Sequence, residues 1–102
     1  MNRQERLDIE LDDAVNRADL DEVKQLLLQG ANIESRDSFG MTPLMNAAWV
    51  AAVDIVEYML AEGADMNAKD NNGKTALDLV REIGHNDFGH NDVIAALEKH
   101  GK

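Results

Sequence analysis

Apolar residues fall at helical spacing along most of the chain. Leu11, Ala14, Val15 and Ala18 line one helical face, Leu44, Ala47 and Ala48 a second, Ile55, Val56, Met59 and Leu60 a third, and Val93, Ile94 and Leu97 a last one. Start and stop signals stand between these stripes. Asp19 with Glu22 three residues on is a capping box that opens a helix running through Gln29, and Gly30 stops it. Thr42 caps a helix whose first residue is Pro43, where a missing backbone donor costs nothing. Gly63 falls where the next helix must end in a left-handed residue, and Asn71-Asn72-Gly73 is a turn signal. The pattern predicts an all-α chain with short connections. One stretch resists division: from Leu44 to Glu62 no residue stops a helix, and periodicity alone reads a single helix of 19 residues.

Sliding the chain against itself divides that stretch. Asp37, Gly40, Thr42 and Leu44 recur 33 residues later as Asp70, Gly73, Thr75 and Leu77, and Gly30-Ala31-Asn32 recurs as Gly63-Ala64-Asp65. The middle unit reads Asp37, Gly40, Thr42-Pro43-Leu44, Ala47-Ala48, Ile55-Val56, Leu60 and Gly63-Ala64-Asp65-Met66-Asn67-Ala68. Period and spelling together resemble the ankyrin repeat, and the resemblance covers essentially the whole chain after about Leu7. It implies an ankyrin-repeat solenoid of helix-turn-helix units with short projecting β-hairpin turns. Residues 1–36 would form an N-terminal partial capping repeat, 37–69 a full internal repeat, and 70–102 a C-terminal capping repeat with a five-residue insertion. The register also implies a turn at Ala51-Ala52, and a left-handed Ala51 costs on the order of 1 kcal/mol relative to glycine.

Departures from the family spelling are confined to a few places. Met45 stands where the repeat usually has histidine, Ala51-Ala52 where it has Gly-His, and Ala76 where the middle unit has proline. These changes are compatible with a natural scaffold or an engineered one. Gly84-His85-Asn86-Asp87-Phe88 is followed at once by Gly89-His90-Asn91-Asp92-Val93, which reads as a tandem duplication of the inter-helix turn. The second copy is in register with the closing helix, so the first is expected to bulge as a loop or to lengthen the preceding helix, at little cost in chain entropy.

Composition narrows the function. The chain has 102 residues, 20 acidic against 10 basic, and a formal net charge of -10. Nucleic acid and anionic membrane surfaces are disfavoured as partners, because no basic patch is present to meet phosphate. Without cysteine there is no disulfide framework and no thiolate metal site. The start goes straight into charged residues, and no run approaches the roughly 18 to 20 apolar residues of a membrane span. A cytoplasmic protein is expected. Ser35, Ser38, Thr42 and Thr75 all fall in turns or caps, so no nucleophile constellation emerges and no enzyme, cofactor or small-molecule substrate is implied. His85, Asp87, His90 and Asp92 are the only candidate metal ligands. Their spacing matches none of the usual metal motifs, and His90 stands where ankyrin repeats carry a structural histidine.

The family resemblance places partner contacts on the hairpin tips and on the exposed flank of each unit's first helix. Carried onto this chain, those positions are Ser38, Phe39 and Met41 in the hairpin and Met45, Trp49 and Val50 on the helix. Nearly all are apolar, while the equivalents Asn71, Asn72, Lys74, Glu82 and Ile83 are mostly polar. An apolar centre with a polar border is how protein interfaces are commonly built. The expected function is non-catalytic protein binding through this middle-unit surface. Self-association as a homodimer through the same surface is the alternative, and metal binding at the duplicated loop a third reading.

Overall fold

The computed structural model describes residues 1–83 and 90–101, and among these it contains six helices and no strand. They are α1 (Arg3–Asn16), α2 (Leu20–Gln29), α3 (Pro43–Trp49), α4 (Val53–Ala61), α5 (Ala76–Ile83) and α6 (His90–His100). Side-chain caps set most of the starts. Asn2 Oδ1 accepts from the Glu5 amide at 2.7 Å, Asp19 Oδ1 from the Glu22 amide at 3.1 Å, and Thr42 Oγ1 from the Met45 amide at 3.3 Å. Where Ala76 replaces the proline, Thr75 and Asp78 cap each other's amides reciprocally, at 3.1 and 3.2 Å. Hydrogen bonds from the Thr75 amide first, and then from its hydroxyl, hold the Asp78 carboxyl below the usual carboxylate range. α1 begins four residues ahead of Leu7. Its Arg3 and Gln4 side chains donate to the carbonyls of Gln29 and Gly30, both at 3.0 Å, and so satisfy the open end of α2.

The long apolar stretch does break in two, and the break is at Ala51. Its φ is +61°, and Ala18, 33 residues earlier, has φ +57°. The same bonds close both turns: Ala18 donates to Val15 and Asp19 to Ala14, as Ala51 donates to Ala48 and Ala52 to Ala47, all between 2.9 and 3.1 Å. Ala18 therefore departs from the helical-face expectation. α1 ends at Asn16, and Ala18 is an exposed turn residue. Each alanine holds a conformation glycine would hold without steric cost. Ala51→Gly is expected to raise stability by about 0.5 to 1 kcal/mol after allowing for the freer unfolded chain. Thermal unfolding should show a midpoint several degrees higher; an unchanged or lower midpoint would show that any strain at the turn does not exceed the entropy glycine adds to the unfolded chain.

α1, α3 and α5 form an inner row and α2, α4 and α6 an outer row, each helix packing on its partner and on its row neighbours. Ala14, Ala47, Ala48 and Ala76 are at most 1% exposed, and their small side chains let the rows approach closely. Leu7, Leu11, Leu44, Ile55, Met59, Val80 and Leu97 fill the space between, so one core runs through the whole stack. Between the helix pairs the chain projects as tight hairpin turns. Asp37 donates to the Met41 carbonyl and Gly40 to that of Asp37, and Asp70, Lys74 and Gly73 repeat the pattern. Among the described residues no helix is long and apolar enough to cross a membrane. The first copy of the duplicated turn, residues 84–88, lies outside the described residues.

Candidate protein-binding surface

The recurring aspartates explain why the hairpins keep their shape. Asp37 Oδ1 accepts from the amides of Phe39 and Met41, both at 2.9 Å, and Asp70 Oδ1 accepts from those of Asn72 and Lys74 at 2.8 and 3.0 Å. The two tips are then tied together. The Asn71 amide donates to the Phe39 carbonyl at 3.1 Å, and its side-chain Nδ2 donates to the Ser38 carbonyl at 3.3 Å. Arg36 donates through Nη1 to the carbonyls of Gly40, at 2.9 Å, and Lys69. The backbone beneath Ser38 and Phe39 is thus fixed before any partner arrives, which lowers the ordering cost of binding.

On this frame Phe39 is 70% exposed, Trp49 51% and Val50 37%, with Ser38 exposed and Met41 half-buried. Trp49 and Val50 end α3, and the carbonyl of Trp49 meets His90 Nε2 at 2.9 Å, so α6 secures the last turn of that helix. Polar groups border the patch on both sides. Arg17, in register with Val50, pairs with Asp13 at 2.9 Å, and Lys74 pairs with Glu82.

Met45 corrects the expected outward row. It is 1% exposed and belongs to the core. Its thioether folds back so that Sδ receives the Thr42 amide at 3.4 Å, while its own amide bonds Thr42 Oγ1. A flexible, polarisable side chain thereby completes the helix cap while lying buried in the core.

Sequence reasoning also passed over a polar cluster. Asn46, 8% exposed in an otherwise apolar segment, donates Nδ2 to Asp12 Oδ1 at 3.0 Å and to Asp37 Oδ2 at 3.3 Å. Burial first, then the charges of Asp37 and Asp13, push the Asp12 carboxyl above its ordinary range. Ile9 on α1 is 55% exposed, and Leu28 on the outer row is 80% exposed. The sign of Asn46 was its spacing three residues before Trp49, which puts both on one face of α3.

Of the metal candidates, His85 and Asp87 lie outside the described residues. His90 faces Trp49 and Asp92 is exposed in the first turn of α6. Among the described residues no group of three acidic, histidine or cysteine side chains converges as a metal site would require.

No curated protein matches the chain. The family described as ankyrin repeats (many copies) matches residues 26–80, which include the middle helix pair, both hairpins and most of α5. Over more than half its length, and with two rows of helices joined at bonds that repeat every 33 residues, the chain belongs to the ankyrin-repeat family.

Proposed function

We propose that the chain is a non-catalytic protein-binding module that grips its partner with Phe39, Trp49 and Val50, assisted by Ser38 and Met41. Ankyrin repeats are in general protein–protein interaction modules, which gives the coarse reading. The observation that supports the finer one is the outward position of two aromatic side chains, 70% and 51% exposed, on a frame already fixed by hydrogen bonds. Exposed apolar surface of this kind marks interaction sites, and tryptophan is prominent among residues that dominate interface energy. The proposal includes the division into units at 36/37 and 69/70, since α1 packs with α2, α3 with α4 and α5 with α6.

The test is a quantitative capture comparison. A protein retained by the wild-type chain is expected to bind the Trp49→Ala variant roughly thirtyfold more weakly, with a similar direction for Phe39→Ala. Leu28→Ala, on the outer row, should bind like wild type, and circular dichroism should show all three variants folded. Retention of the partner by folded Trp49→Ala would defeat the assignment. A wild-type dimer that Trp49→Ala makes monomeric would replace it with the homodimer.

A further inference from the structure

Beside the apolar patch lies a cleft of about 110 Å³ between α1 and the base of the first hairpin. Ile9, Met41 and Pro43 supply apolar lining, and Asp8, Asp12 and Asp37 supply carboxylates. Met41 belongs also to the proposed binding hairpin. Asn46, which holds Asp12 and Asp37, shares the face of α3 that carries Trp49. Met41 thus joins the cleft to the proposed binding hairpin.

The charges in this cleft are not balanced. Asp12 and Asp37 are bridged by the single neutral amide of Asn46, and among the described residues neither forms an ion pair. Arg36 lines the same cleft and supplies one positive charge against three carboxylates, with its Nη1 donating to the Gly40 and Lys69 carbonyls. Asp8 accepts from the Asn32 amide at 2.8 Å and from Gln4, and Asp37 Oδ1 from the Phe39 and Met41 amides, all neutral donors that leave the carboxylate charges uncompensated. Burial first, and then the charges of Asp37 and Asp13, raise the pKa of the Asp12 carboxyl, and among the described residues no ion pair to Asp12 opposes them. The absence of a three-ligand cluster among the described residues argues against a metal ion as the missing charge.

We propose that the partner segment seated on this face is basic and amphipathic, placing an apolar anchor against Trp49 and Phe39 and a lysine or arginine in the cleft. The stem of that side chain lies along Ile9 and Met41, and its charged head meets Asp12 and Asp37, an arrangement long basic side chains favour. A volume of about 110 Å³ takes one such side chain and little more. The net charge of -10 steers a basic segment toward the face and repels an acidic one.

This inference rests on the proposed binding face, so the experiment separates the two. Short random peptides displayed on phage are panned on the immobilised chain, and the enriched sequences are synthesised and titrated. Enriched peptides are expected to combine an aromatic or long aliphatic residue with lysine or arginine nearby, and to weaken as salt is raised. Asp12→Asn keeps an oxygen for the Asn46 amide while removing the charge, and it should weaken these peptides roughly tenfold. Trp49→Ala should weaken them roughly thirtyfold. Enriched peptides that are neutral or acidic, or basic ones indifferent to Asp12→Asn, overturn the basic-partner inference while sensitivity to Trp49→Ala preserves the face. Peptides indifferent to both substitutions, or no enrichment, overturn both.

Discussion

Replacing Gly40 with alanine is expected to destabilise the chain by about 3 kcal/mol, a large share of the roughly 5 to 15 kcal/mol that holds a small domain together. Two costs add. The φ of Gly40 is +77°, a left-handed conformation that charges any Cβ about 1 to 2 kcal/mol. A Cβ there would also stand 2.3 Å from Asn71 Oδ1 and 2.9 Å from the Asn71 backbone nitrogen. The side chain of Asn71 can swing away, but its backbone cannot move without loosening the amide bond to the Phe39 carbonyl that joins the two hairpins. Gly63 is the control: its φ is +91°, yet nothing lies within 4 Å of a built Cβ, so Gly63→Ala should cost only the conformational part. Denaturant unfolding of the two variants checks this, and equal losses would show that the close approach of the hairpins contributes nothing.

That comparison also shows which parts of the fold were legible in the sequence. The recurrence of Asp37, Gly40 and Thr42 as Asp70, Gly73 and Thr75 fixed the hairpin period, because each residue performs a local task that only a few residue types can perform. The capped starts at Asp19 and Thr42 were legible for the same reason. Ala18 and Ala51 were harder. Alanine is a strong helix former, and nothing local asks it to turn. The turns exist because the apolar stripes on either side must face one another across the two rows, and burial of Ile55, Val56 and Met59 outweighs the local cost at Ala51. Periodicity revealed the turn at Ala51 only through its register with neighbouring units. At Ala18 the apolar side chain fitted the helical stripe and concealed the turn.

The candidate surface was legible where exposure follows from the repeat geometry, as for Phe39, Trp49 and Val50. It was not legible where a side chain's direction depends on a distant partner. Asn46 is one residue from the inward-facing Ala47, and its burial follows from carboxylates 34 residues before it and 9 residues before it that no local pattern connects. The acidic cleft had the same difficulty, since Ile9 and Asp12 come from α1 and Met41 from the hairpin.

Met45 tests the difference between a residue that looks like part of the surface and one that supports it. Met45→Ala is expected to cost about 3 kcal/mol, within the 2 to 5 kcal/mol of buried methionine truncations, because the side chain is 1% exposed and leaves a void in the core. Loss of the thioether also takes from the Thr42 amide its acceptor, although sulfur is a weak one and adds less than the void. Met45→Leu keeps most of the volume and should cost under about 1.5 kcal/mol. Binding must then separate from stability. At temperatures where the variants remain folded, Met45→Ala should hold a peptide or protein partner as wild type does, while Trp49→Ala should leave the unfolding midpoint nearly unchanged and lose the partner. If Met45→Ala unfolds like wild type but releases the partner, Met45 returns to the binding surface, and the packing that excludes it here must open when the partner arrives.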